Sequence, residues 1–160
     1  MAADIFAKIG DIKGESVDNR HRDEIEVLSW AWGVSQSGSM PHGGGGGAGK
    51  AKFNDFHFTH HIDKASPVLM KTCATGAHIQ EATITMRKAS RGQQEFLIIK
   101  MNDVIVTGVS SSGAGDGAAT AESVTLQFAS VDLEYRPQRL DGSLDAGVHF
   151  IFDIETNQEG

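Results

Sequence analysis

Four groups of residues carry side chains whose types and spacing could do chemistry. Gly44-Gly45-Gly46-Gly47-Ala48-Gly49-Lys50 reproduces the G-x-x-x-x-G-K half of a phosphate-binding loop. In such a loop backbone amides cradle the phosphates, the lysine reaches them, and the next residue offers a hydroxyl to magnesium. That next residue is Ala51, and the flanks are wrong: Ser35–His42 is polar rather than a buried strand, and the segment after Lys52 alternates like a strand, not a helix. His57, His60 and His61 lie close together, with His42 a possible spatial neighbour. On a strand His57 and His61 face the same way, which could begin a zinc site, with Asp55 and Asp63 the only helpful carboxylates nearby. The plainer reading is polar histidines near a strand end. Cys73 lacks the electropositive surroundings that would make its thiolate a nucleophile, and it falls on the apolar stripe of a helix. Ser110–Ser112 lacks the G-x-S-x-G elbow, and no pair of carboxylates stands out. The residues therefore assign no catalytic, cofactor-binding or metal-ligating position, and no cofactor is expected.

The elements that would have to position a site are mostly strands. Asp4–Lys13 alternates, with Ile5, Ala7 and Ile9 on one side and Phe6 and Lys8 on the other. Glu15–Asp23 (ESVDNRHRD) is charged and reads as an exposed connection. Glu24–Ser35 alternates again: Leu28, Trp30, Trp32 and Val34 share one face, and Ser29, Ala31 and Gly33 the other. Two tryptophans two residues apart bury a large area in one core. The opposite, small face could line a solvent cavity or lie against another subunit.

From Gln36 to Lys52 the chain loses any means of building a core: Trp30–Lys52 holds eight of the 19 glycines. A loop this long inside a domain is functional or disordered. Lys52–Ile62 returns to β-prone, aromatic text, with Phe56 and Phe58 opposite Phe53, Asp55 and His57. A short helix follows over about 67–75, with Ser66 as N-cap, Pro67 in the first turn and Gly76 as the left-handed stop; Leu69, Thr72 and Cys73 form its apolar stripe.

Beyond His78 the strands follow one another. Glu81–Lys88 points Ala82, Ile84 and Met86 inward, and Gln94–Met101 and Asp103–Val109 read as a pair joined at Asn102-Asp103. Ser110–Thr120 is a flexible loop. In Ser123–Tyr135 the apolar phase changes, which suggests a β-bulge near Ala129. Val148, Phe150, Phe152 and Ile154 close the sheet. About eight strands and one helix make an all-β sandwich or barrel with a long projecting glycine-rich loop, one domain over residues 1–160.

Composition narrows the class of protein. Hydrophobic residues at 39% exclude global disorder, and a net charge of −7 excludes a general nucleic-acid or anionic-membrane binder. The longest strongly apolar run, Phe96–Ile99, is far short of a membrane span. The N-terminus MAADIFAKIG lacks the basic start and apolar stretch of a signal peptide, so the chain folds in the cytosol or leaves by a route that reads no such peptide. One cysteine excludes an intrachain disulfide scaffold.

Several stretches together resemble the Hcp proteins of bacterial type VI secretion. They are FAKIGDIKGES (6–16), EIEVLSWAWGVSQSGSM (24–40) with the glycine run GGGGGAGK (43–50), FTHHIDKASPVLM (58–70), ATITMRKA (82–89) and VTLQFASVDLEYRPQ (124–138). The similarity runs from end to end. It implies an Hcp-like β-barrel of two packed antiparallel sheets, flanked by one helix and an extended loop, assembled as homohexameric rings. It further implies that rings stack into an inner tube that works with sheath and tip-spike proteins, carries effector cargo in its lumen and is itself secreted after cytoplasmic assembly. A phage-type tail tube, another β-barrel assembly protein and a histidine-based metal module are the alternatives. By position, Gln36, Ser37, Met40, His42, Gly44, Gly46, Lys50 and Lys52 are expected to contact a neighbouring protomer or ring, and Ser29, Ala31 and Gly33 to face the lumen. With the sequence stopping at Gly160, no appended toxin domain is expected.

Overall fold

The computed structural model describes residues 2–38, 50–89, 92–116 and 120–160. Apolar residues recurring every second position make strands that bury one face each. In chain order these are β1 (Ala3–Ile9), β2 (Ile25–Glu26), β3 (Ser29–Ala31), β4 (Val34–Ser35), β5 (Lys52–Phe53) and β6 (Phe56–His61). Helix α1 (Ala65–Thr75) follows, then β7 (His78–Lys88), β8 (Glu95–Ser112), β9 (Ala121–Tyr135), β10 (Val148–Asp153) and β11 (Gln158–Glu159). All pairings are antiparallel. Strands lie in the order β11-β10-β9-β8-β7-β1-β2, while β6 pairs with both β9 and β3.

Hydrogen bonds close this sheet into a barrel. Val27 N–H donates to Ile5 of β1, and the next residue, Leu28, donates to Thr59 of β6, so two adjacent residues bridge the remaining gap. Ile9, Ile25, Phe56, Phe58, Leu69, Ile99, Met101 and Leu126 fill the interior and are wholly buried.

Strands β8 and β9 each run through both halves of this sheet. The far half of β9 pairs with β10, through Phe152↔Val131, and its near half with β6, through Phe56↔Leu126. Between the halves the buried face changes phase, from Phe128 to Val131 in β9, from Met101 to Val104 in β8 and from Ile79 to Ala82 in β7. The β8–β9 register is the same on both sides, Asn102↔Ser130 and Val104↔Phe128. A phase change is therefore present at Ala129, but without the bulge expected there; the bulge lies between Val106 and Gly108 of β8 instead. Asn102-Asp103 is likewise no turn. Asp103 adopts φ 53 inside a continuous strand, and this local reversal lets three neighbouring strands bend on one line.

Lys52–Ile62 is not one strand either. It breaks at Asn54-Asp55, and the lost parity moves Phe53 to the aromatic side, 5.9 Å from Trp32 and 5.2 Å from Phe152 between ring centroids. The helix begins at Ala65, two residues before the expected start. Asp63 supplies the capping oxygen, accepting from Ala65 N–H at 2.9 Å, while Ser66 Oγ accepts from Asp63 N–H at 3.1 Å. Ser66 itself is buried in the first turn. Gly76 ends the helix at φ 65, where its N–H and that of Ala77 reach back to Cys73 and Thr72.

The segment Glu15–Asp23 corrects the reading of an exposed connection. Its backbone folds over β1, and His21, at 7% exposure, stacks on Phe6 with centroids 4.4 Å apart. The His21 ring bridges Glu24 at 3.0 Å and Glu95 at 2.7 Å. Beneath it Arg87, 3% exposed, forms an ion pair with Asp18 and reaches Asp4 at 3.3 Å. Charged residues looked solvated because sequence does not show that Arg87, on β7 next to β1 in the sheet, is waiting for them. The Arg87 guanidinium holds the Asp18 carboxyl far below its ordinary 3.8.

Removing one partner of a buried pair strands the other. Arg87→Met should lower stability by roughly 3 kcal/mol, measured by chemical denaturation. Because the Asp18 carboxyl is depressed in the fold, its contribution is present above the unfolded value and lost as pH falls below about 4. Wild type should thus lose stability on acidification more steeply than Arg87→Met; parallel curves would rule out the ion pair as the cause.

Candidate assembly surfaces

The half of the sheet formed by β3, β6, near β9 and distal β8 turns one face to the core and one to solvent. Inward go Phe56, Phe58, Val124 and Leu126. Outward, in cross-strand register, go Ser29 opposite Thr59 opposite Ser123, and Ala31 opposite His57 opposite Thr125. The Ser29 and Thr59 hydroxyls meet at 2.6 Å, and Thr107 links Thr125 to Asp55 at 2.9 and 2.8 Å. Ser29 and Ala31 are exposed, and no lysine or arginine stands on the outward positions of these strands. Gly33 lies just beyond β3, half-buried, where a Cβ would come within 3.3 Å of the Asn54 amide.

Trp30 and Trp32 turn away from that face toward the core, and Trp30 Nε1 donates to Met86 Sδ at 3.1 Å. Leu28 and Val34, assigned to the same face, are 51% and 54% exposed. The alternation holds only for the three residues of β3; on either side the chain crosses to another partner.

Trp32 begins a seam of half-exposed rings. It packs on Phe128 at 5.7 Å and Phe150 at 6.5 Å, while Phe150 stacks on Phe152 at 5.9 Å. Beside the seam Val34, Val148 and Tyr135 are 54%, 65% and 47% exposed. The antiparallel pair β4–β5, Val34↔Phe53 and Ser35↔Lys52, adjoins this seam and flanks the glycine-rich segment in sequence. Gln36, Ser37, Lys50 and Lys52 are exposed there. Met40, His42, Gly44 and Gly46 lie outside the described residues.

The three histidines do not converge. His57 and His61 point outward from β6, and His61 Nδ1 pairs with the Thr120 carbonyl at 3.2 Å. His60 points inward and is completely buried. Its Nε2 bonds Glu122 Oε1 at 2.9 Å, and Glu122 Oε2 accepts from Ser111 Oγ at 2.6 Å. Its Nδ1 faces Asp63 Oδ2 at 3.7 Å, and burial pushes the Asp63 carboxyl up. Among the described residues no three His, Cys, Asp or Glu side chains are placed as metal ligands. The buried Glu122 was not singled out from sequence, although a carboxylate on the inward phase of an apolar strand is a usable signal. Cys73 packs against the core from α1.

A family profile described as "Type VI secretion system effector, Hcp" matches residues 6–135. The curated protein named Protein hcp1 from Pseudomonas aeruginosa is 50% identical over 159 residues, 98% of each chain. This chain belongs to the Hcp family. Among solved structures, that of Hcp1 from Salmonella typhimurium is similar at a TM-score of 0.81 with 42% identity, over 99% of both chains. One described as a type six secretion system protein reaches a TM-score of 0.92 at 27% identity, over 99% of this chain and 100% of its own. The Hcp fold is thus all-β here, antiparallel throughout, with one short helix.

Ala31 is exposed and lies outside the buried core cluster, so Ala31→Arg should change stability by no more than about 0.5 kcal/mol. A fall of several kcal/mol in denaturation would mean that Ala31 faces inward.

Proposed function

We propose that the chain is the tube subunit of a type VI secretion machine. It forms rings of six that stack into a tube, carries effector polypeptides through the bore, works with sheath and tip-spike proteins and is itself delivered out of the cell. Its role is structural and not catalytic. The observation that carries this reading is the outward face of β3, β6, near β9 and distal β8, whose strands carry no lysine or arginine and beside which the Asp55 carboxylate is held by Thr107. Solvent-facing sheet in a chain with 22% charged residues ordinarily carries both signs. Here four strands present hydroxyls, small side chains and imidazoles instead. Fixed charges on a bore would hold cargo of the opposite sign and repel the same sign. A wall of small side chains with few fixed charges lets chemically different chains pass.

The seam and arm root supply the second requirement, a surface for neighbours. Large exposed apolar groups on a soluble domain mark contact surfaces. Val34, Val148 and the Trp32–Phe53–Phe150 rings are continuous with the arm, which reaches an adjacent protomer or ring through residues 36–52.

Six chains of 17.1 kDa give about 103 kDa, and negative-stain images should show rings with a central hole. Deletion of Gly43–Gly47 should leave the barrel folded, with unchanged far-ultraviolet dichroism, while rings or stacks fail to form. Normal assembly of the deletion would reduce the arm to a linker. Ala31→Arg, folded as above, should assemble but retain effectors differently in co-purification.

A further inference from the structure

Three adjoining concavities follow the line on which the strands bend. The first, about 230 Å³, lies at the β1 end between Lys8, Lys13, Arg20 and Arg22. The second, about 370 Å³, shares Lys8, Gly10 and Ile12 with it and runs on to His78. The third, about 520 Å³, shares His78 and ends at Asp103 and Glu155, over Ile105, Phe128 and Ile154. The furrow is therefore basic at one end and acidic at the other, in a chain whose net charge is −7.

The charges at both ends lack partners among the described residues. The ion pairs there involve Arg87, Arg136 and Arg139 as the arginines, and none of the four cations of the basic end. Asp23 and Glu24 also border the basic end, where four cations stand against these two carboxylates, and Glu24 is engaged by His21. Neither Asp103 nor Glu155 has a cation. The two ends cannot neutralise one another within a single copy, because β7 lies between β1 and β8 across the furrow.

We infer that the basic end of this furrow docks a second copy of the chain through that copy's Asp103–Glu155 pocket. The inference rests on the ring-forming function proposed above. Copies with a large negative charge repel on average, so an oriented contact needs locally opposite signs. The acidic pocket, about 520 Å³, has room for a long basic side chain, with Ile105 and Ile154 in its lining for the stem and Asp103 and Glu155 for the head. Because unlike surfaces meet, the contact is heterologous, the type that closes rings or continues as a stack.

The test is a charge swap followed by sedimentation. One variant carries Lys13→Glu and Arg22→Glu. The other carries Glu155→Lys with Asp103→Asn, since Asn tolerates φ 53 and Lys does not. Circular dichroism and melting verify that both remain folded. Each variant alone should need at least about tenfold more protein to assemble than wild type, because like charges then face each other. An equal mixture should recover wild-type assembly, since every contact in an alternating ring again joins opposite signs. Variants that assemble as wild type overturn the contact while leaving the ring-forming function standing. Loss of assembly without recovery in the mixture also overturns it. So does a basic-end variant that assembles normally but no longer binds heparin, which would assign that end to a foreign polyanion. A wild-type chain that is monomeric at every concentration overturns both.

Discussion

The constraint on which this barrel depends is that β8 and β9 must keep one register across the bend at Asn102-Asp103 while each runs through both halves of the sheet. If either strand slipped by one residue at the bend, every side chain beyond it would change faces. The molecule avoids this by changing phase in three adjacent strands at the same level, at Gln80-Glu81, Asn102-Asp103 and Ala129-Ser130. The cross-strand pairs survive, and only the direction of the sheet changes. Asp103 carries the left-handed backbone that permits it, at an exposed position. Everything outward of the bend, from the neutral face of β6 to the aromatic seam at β10, owes its orientation to that line.

Much of the fold can be read from the sequence because strand alternation is local. The inward set of β6, the stop at Gly76 and the small face of β3 all follow from parity or from backbone preference. What could not be read is non-local. The bend looked like a turn at Asn102-Asp103 and like a bulge at Ala129 because each strand was considered alone; only their juxtaposition shows one shared line. The tryptophan face was extended to Leu28 and Val34 because alternation was assumed to continue where the chain in fact changes partner. The charged 15–23 segment hid its role for the same reason, since Arg87 and Glu95 are distant in sequence.

The candidate surfaces divide along similar lines. The outward face was legible from Ser29, Ala31 and Gly33, but its extent across β6, β9 and β8 needed the register. The seam was only half legible: Phe53 seemed to oppose the core aromatics until the break at Asn54-Asp55 turned it around. His60 shows how sparse the signal for a buried polar group is. It sits among outward-looking histidines in sequence, yet its neighbours in space are Phe58, Glu122 and Asp63.

These surfaces also differ in what they ask of a neighbour, and that difference argues for a division of labour. An apolar seam is attractive but poorly selective, because any hydrophobic surface satisfies it. Charged ends contribute little net affinity in water, yet they reject wrong orientations strongly. On the proposed function, together they give a copy both a reason to associate and a single way to do so. The face left between them is built of small and hydroxyl side chains with no lysine or arginine on its strands. On the proposed function that face suits a channel wall, because it offers passengers neither an apolar patch nor a cationic one.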